Sequence, residues 1–97
     1  MLTSKQRAYL RSLGSAAEPV LTIGKGQVAD SIIKQADEAL EARELIKVNV
    51  LKTSTTDAKE VCGILCDALG CEPVQVIGSR FLIYRPSSEK PVIELPR

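Results

Sequence analysis

Residues 20–28 hold the most suggestive chemistry in this chain: a short apolar run, Val20 to Ile23, followed by Gly24, Lys25, Gly26 and Gln27. Glycines turn tightly and let a ligand approach the backbone without a Cβ in the way. The helix expected to open just after this turn has first amides with no internal partner, and these amides attract anions. Lys25 adds a mobile cation. The combination suits a phosphate group.

Other chemistries fit poorly. The chain has no histidine, so a serine or cysteine nucleophile lacks an imidazole to activate it. General acid–base work needs a tuned proton carrier, yet the carboxylates fall on expected solvated helix faces. Residues 24–29 match the dinucleotide fingerprint G-x-G-x-x-A, and Glu44 follows twenty residues after Gly24. The ribose-binding acid belongs at the end of a second strand, however, and Glu44 precedes that strand. No G-x-x-x-x-G-K-[ST] loop is present. Cys62, Cys66 and Cys71 lie close together, but a structural zinc site usually needs four ligands. They are expected to be buried free thiols, and neither a metal nor another cofactor is expected.

The 97 residues allow one domain. A chain of this size buries roughly 60–68% of its unfolded surface. No apolar run is long enough to span a membrane, and the first residues are too polar for a signal peptide, which leaves the cytoplasm as the expected location. The net charge is only +1, but it is segregated. Residues 1–34 carry five basic and two acidic side chains, residues 35–72 four and eight, and residues 73–97 four and two.

The elements that must position the loop follow from periodicity. Thr3 and Gln6 fit a capping box. The helix behind them is expected to reach Leu13, with Leu2, Tyr9, Leu10 and Leu13 inward and Gly14 as its stop. Residues 20–23 form a strand. From 28 to 42 the apolar residues fall within an arc of roughly 140°, which predicts a helix. Its outer face carries Asp30, Lys34, Asp37 and Glu41. Residues 45–51 alternate as a strand, with Ile46, Val48 and Val50 inward and Lys47 and Asn49 outward. A third helix spans 57–69 and ends at Gly70. Strands 73–77 and 80–85 are joined by Gly78 and Ser79, a type II′ signature. A two-residue turn sets Val76 opposite Phe81 and Val74 opposite Ile83 on the core face. Gln75, Arg80 and Tyr84 then share the other face with Ile77 and Leu82.

The expected fold is therefore a single α-β-α-β-α-β-β domain of the α/β class with a four-stranded mixed sheet. The domain covers residues 1–86. Residues 87–97 form a tail that is extended or loosely docked, and residues 92–95 are candidates to join a sheet edge. Lys47, Asn49, Gln75, Arg80 and Tyr84 suggest a sheet face that helices leave partly open.

A strand–glycine–helix turn with basic neighbours suits a nucleic-acid backbone, much as the glycine loop of KH domains clamps single-stranded RNA. Arg7 and Arg11 offer a second phosphate contact. Arg80, Tyr84 and Arg85 offer a third, with Tyr84 stacking on a base. Lys47 and Gln75 are further candidates on the open face. With three aromatic residues in the chain, a broad stacking platform is not expected.

The wider pattern is more specific than the loop. Residues 2–11, the Ile23-Gly24-Lys25-Gly26 turn, the Arg43-Glu44-Leu45-Ile46-Lys47-Val48 block, residues 74–78 and residues 82–86 together resemble stand-alone bacterial CRM-domain proteins of the YhbY-like family. The resemblance implies an RNA-binding domain similar in fold to the C-terminal domain of translation initiation factor three. It implies association with large-subunit ribosomal precursors and a role in ribosome assembly. The family's RNA loop is G-x-x-G, and the positions here are Gly24, Lys25, Gly26 and Gln27, with glutamine in place of the last glycine. Two other functions remain open on the residues themselves. One is a protein adaptor docking through the acidic helix 28–42, and the other a small nucleotide-binding module. The expected partner is RNA, with no membrane and no small-molecule substrate.

Overall fold

A computed structural model describes residues 2–15, 17–24, 30–51, 57–88, 91 and 93. Three helices and four strands alternate as expected: α1 (Ser4–Ser15), β1 (Leu21–Ile23), α2 (Asp30–Arg43), β2 (Leu45–Val50), α3 (Ala58–Leu69), β3 (Glu72–Ile77) and β4 (Arg80–Tyr84). The strands form one mixed sheet in the order β1-β2-β4-β3. β1 runs parallel to β2, while β4 is antiparallel to both β2 and β3. The C-terminal ends of β1, β2 and β3 and the start of β4 therefore lie at one end of the sheet. Among the described residues, no helix is long and apolar enough to cross a membrane.

The local signals act as read. The Gln6 amide donates to Thr3 Oγ1 at 3.1 Å, and the Thr3 amide donates to Gln6 Oε1 at 3.0 Å, closing the capping box. Asp57 caps α3 by accepting from the Glu60 amide at 2.8 Å. Gly70, at φ 65°, ends that helix. Gly78, at φ 57°, opens the hairpin turn, where a left-handed first position favours glycine.

The main core lies between the sheet and the α2–α3 layer. Leu21, Ile23, Ile46, Val48, Val50, Phe81 and Ile83 meet Ala36, Leu40, Val61, Cys62 and Leu65 there. A smaller cluster of Leu10, Val74, Leu82 and Tyr84 lies on the opposite face, with Leu2, Leu45 and Ile93 packed against it.

Four expectations are corrected. α1 runs through Gly14 to Ser15. Gly14 is buried, and a Cβ there would stand 2.6 Å from Leu82 Cδ1, so glycine lets the helix rest on the sheet. Tyr9 and Leu13 are exposed, which leaves Leu10 to carry the contact. In β3, Pro73 pairs with Ile83 and Gln75 with Leu82, so Val74 is the extra residue of a bulge and does not face Ile83. The bulge turns Val74 toward α1, and Val76, though opposite Phe81, is exposed at 40%. Tyr84 is buried beneath α1 and Ile93, not displayed on an open face.

Beyond β4 the chain docks onto two acids at the end of α2. The Ser87 amide donates to Glu44 Oε2 and the Ile93 amide to Glu44 Oε1, each at 2.8 Å. The Ser88 amide and hydroxyl donate to Glu41 at 3.0 and 2.9 Å, and the Ser87 hydroxyl donates to it at 2.5 Å. Glu44 is buried at 1% exposure and adopts φ 66°.

Candidate nucleic-acid interface

α1 and the docked tail cover only part of the second sheet face. The cover lies over Leu45, Leu82 and Tyr84. Past it, two cross-strand rows emerge. Lys47, Leu82 and Gln75 form one, and Asn49, Arg80 and Ile77 the other. A cavity of about 270 Å³ opens where α1 stops, lined by Ser15, Lys47, Gln75, Ile77, Arg80 and Leu82. A second concavity, about 410 Å³, shares Lys47 and adds Arg43, Glu18 and Val20. Neither Lys47 nor Arg80 makes an ion pair with another described residue.

Gly24 ends β1 at this same end of the sheet. The Leu51 amide donates to Ile23 O at 2.8 Å and the Val50 amide to Ser79 O at 2.7 Å, which ties β1, β2 and the hairpin together there. By the usual interstrand spacing, Gly24 stands ~10 Å across the sheet from Arg80. A Cβ on Gly24 would meet Leu51 Cδ1 at an ordinary 3.5 Å, and the backbone there is not left-handed. The fold itself does not require glycine at this position. Lys25, Gly26 and Gln27 lie outside the described residues.

The structure thus brings together Lys47, Gln75 and Arg80, and sets Gly24 at the same end of the sheet. It does not bring Tyr84 to them. Burial, followed by the charge of Glu44, pushes the Tyr84 phenol up from its ordinary 10.0, consistent with a packed tyrosine. Arg7 is half-buried and Arg11 exposed on α1.

Arg85 is also withdrawn from the candidate contacts. Its guanidinium donates to Asp37 Oδ1 at 2.8 Å, to Asp37 O at 3.1 Å and to Leu69 O at 3.2 Å, with Glu41 Oε1 at 4.0 Å. Asp37 and Glu41, two of the acids on the outer face of α2, are therefore engaged internally. That weakens the case for docking a partner on the acidic face. Ser15, Ile77 and Arg43 also line these concavities, although the sequence reading does not place them there. The signals available were the apolar Ile77 among polar neighbours and the proximity of Arg43 to Lys47 in sequence.

The three cysteines are free and stand on the α3 face, away from this site. The Cys66 and Cys71 sulfurs are 3.4 Å apart. Hydrogen bonding to Cys62 and Cys71, then burial, pushes the Cys66 thiol up, while contact with Cys66 lowers the other two. Among the described residues, no group of three or more His, Cys, Asp or Glu side chains is placed to hold a metal ion.

Fold and site define a small α/β module whose mixed sheet is sandwiched at one end and bare, cationic and grooved at the other. The chain belongs to the CRS1 / YhbY (CRM) domain family, whose model matches residues 2–85. It is 46% identical over 96 residues to the Probable RNA-binding protein YqeI of Bacillus subtilis, covering 99% of this chain and 100% of that one. An RNA-binding protein of Haemophilus influenzae is 30% identical over 96 residues, covering 99% and 96%. The solution structure of SAV1595 from Staphylococcus aureus, described as a proposed RNA-binding protein, superposes with a TM-score of 0.81 at 52% identity, covering 99% and 100%.

Proposed function

We propose that this chain binds RNA through the bare end of its sheet and assists assembly of the large ribosomal subunit. The observation that carries RNA binding is the pair of unpaired cations, Lys47 and Arg80, beside a groove on an uncovered sheet face. Relatives named as RNA-binding proteins support the same conclusion. Gly24, Lys25, Gly26 and Gln27 grip the backbone in this scheme, and Arg7 and Arg11 add cationic contacts. The module acts by binding in this scheme, in keeping with relatives named as RNA-binding proteins. Large-subunit precursor RNA as partner rests on the family resemblance, and the cytoplasm is the matching setting for three free thiols.

The test is a fluorescence-anisotropy titration against RNA at several salt concentrations. Neutralising three to five phosphates predicts that log affinity falls against log salt with a slope of about −2 to −4. Arg80→Glu and Lys25→Glu should each weaken binding across RNA sequences and flatten that slope by about one. A salt-independent interaction refutes RNA binding by this surface. In cells, crosslinking followed by sequencing should recover large-subunit ribosomal RNA, and recovery of unrelated RNA refutes the assembly role.

A further inference from the structure

We infer that the groove at the end of α1 is a nucleobase pocket, so that this module takes unpaired RNA with one base swung out of the stack. The inference rests on the proposed RNA binding and specifies what the RNA must present. Ile77 is 64% exposed, the highest exposure among the large apolar side chains described, and lines the groove beside its cross-strand partner Arg80. A single exposed isoleucine is ordinary on a protein surface, but one that lines a groove between cations gives a flat ring apolar surface to cover, and that burial is favourable. Leu82, held down by Gly14, gives the groove an apolar floor. Ser15 closes the near wall where α1 ends.

The polar groups are placed for a base carrying a charged backbone. Gln75 lies in the same cross-strand row as Lys47 and Leu82, and its side-chain amide has no partner among the described residues. It offers one acceptor and two donor hydrogens, enough to pair with a base edge. Lys47 and Arg80 flank the cavity, where phosphates on either side of an inserted nucleotide would lie. A groove of about 270 Å³ is large enough to take a nucleobase. In A-form duplex RNA the base faces are buried in the stack and the major groove excludes side chains. Duplex RNA would therefore meet only the cations.

The test compares three RNAs of equal length and charge per strand: a single strand, the same strand with abasic sites, and a duplex. Affinities of the full chain and of Ile77→Ser and Gln75→Ala are measured at one salt concentration. Ile77 is exposed and Gln75 half-buried, so both variants should fold, and circular dichroism is the control for that. The intact strand should bind about five-fold or more tightly than the abasic strand, the usual worth of one covered base. Ile77→Ser should erase that preference and leave abasic affinity unchanged. Equal affinity for intact and abasic strands, with the salt slope retained, overturns the pocket and leaves RNA binding standing. If no RNA binds even at low salt, both fall together.

Discussion

Replacing Glu44 by glycine should destabilise the domain, although glycine is the residue usually found at that backbone position. Glu44 ends α2 at φ 66°, a left-handed conformation that costs a residue with a Cβ about 1–2 kcal/mol. Against this stand two hydrogen bonds to a buried carboxylate, from the Ser87 and Ile93 amides at 2.8 Å each. Bonds to charged acceptors contribute about 1.5–3 kcal/mol apiece. Glu44→Gly relieves the strain, loses both bonds and frees the tail, for a net loss of about 1–5 kcal/mol. For a domain of this size each kcal/mol moves the midpoint by about 4–8 °C, so the melting temperature should drop by at least ~4 °C. Thermal unfolding followed by circular dichroism measures the shift. Hydrogen exchange should show faster exchange at the Ser87 and Ile93 amides than in β2. A Glu44→Gly variant that melts at or above the wild-type temperature refutes the carboxylate's role. Glycine would then be better simply because it removes strain.

Other perturbations separate fold from site. Arg85→Ala should cost about 1–2 kcal/mol in urea unfolding, because it strips donors from Leu69 O and Asp37 while leaving an exposed acid behind. RNA affinity of the folded variant should stay unchanged, unlike that of Arg80→Glu. Tyr84 has its pKa raised in the folded state, so it binds its proton more tightly there than in the unfolded chain. Its contribution to stability is full below its ordinary 10.0 and is lost as pH rises through the folded value. Absorbance titration of Tyr9→Phe, which leaves Tyr84 as the sole tyrosine, should show ionisation delayed above 10.0 and advancing on unfolding.

Legibility in the sequence followed the range of the interactions. Thr3 and Gln6 close their box within one turn, and Asp57 and Gly70 bound α3 by local chemistry, so both were readable. The inward alternation of Ile46, Val48 and Val50 was readable for the same reason. Val74 was not: a bulge depends on how β3 fits between α1 and α3, and the sequence between Pro73 and Gln75 carries no local mark of it. Tyr84 presented the right spacing for an open face, and only the distant Leu10 and Ile93 bury it. Gly14 looked like a helix stop because glycine ends helices and also permits close packing, and nothing nearby distinguishes the two uses. Glu44 stands at the spacing of a ribose ligand but precedes β2. The structure gives it a different task, which depends on a tail more than forty residues away.

A near-neutral chain can hold a polyanion if its charges are spent unevenly. Asp37, Glu41 and Glu44, at and just past the C-terminal half of α2, are used at the covered end of the sheet, where Asp37 and Glu41 hold Arg85 and Glu41 and Glu44 hold the tail. The cations Lys47 and Arg80 are left unpaired toward the other end. β2 spans these ends from Leu45 to Val50, and at about 3.3 Å per residue its termini are ~17 Å apart. At physiological salt the screening length is about 8 Å. A phosphate near Arg80 therefore feels little of the acids beside Glu44, and it meets a surface far more basic than the net charge of +1 suggests. Moving charge between the ends should then matter more than changing the total. Adding an acid at Asn49, which pairs across the sheet with Arg80, should weaken RNA binding strongly. The same charge added at exposed Ala42 on α2 should leave it nearly unchanged. Equal losses from Asn49→Asp and Ala42→Asp would show that net charge, not its placement, governs the interaction.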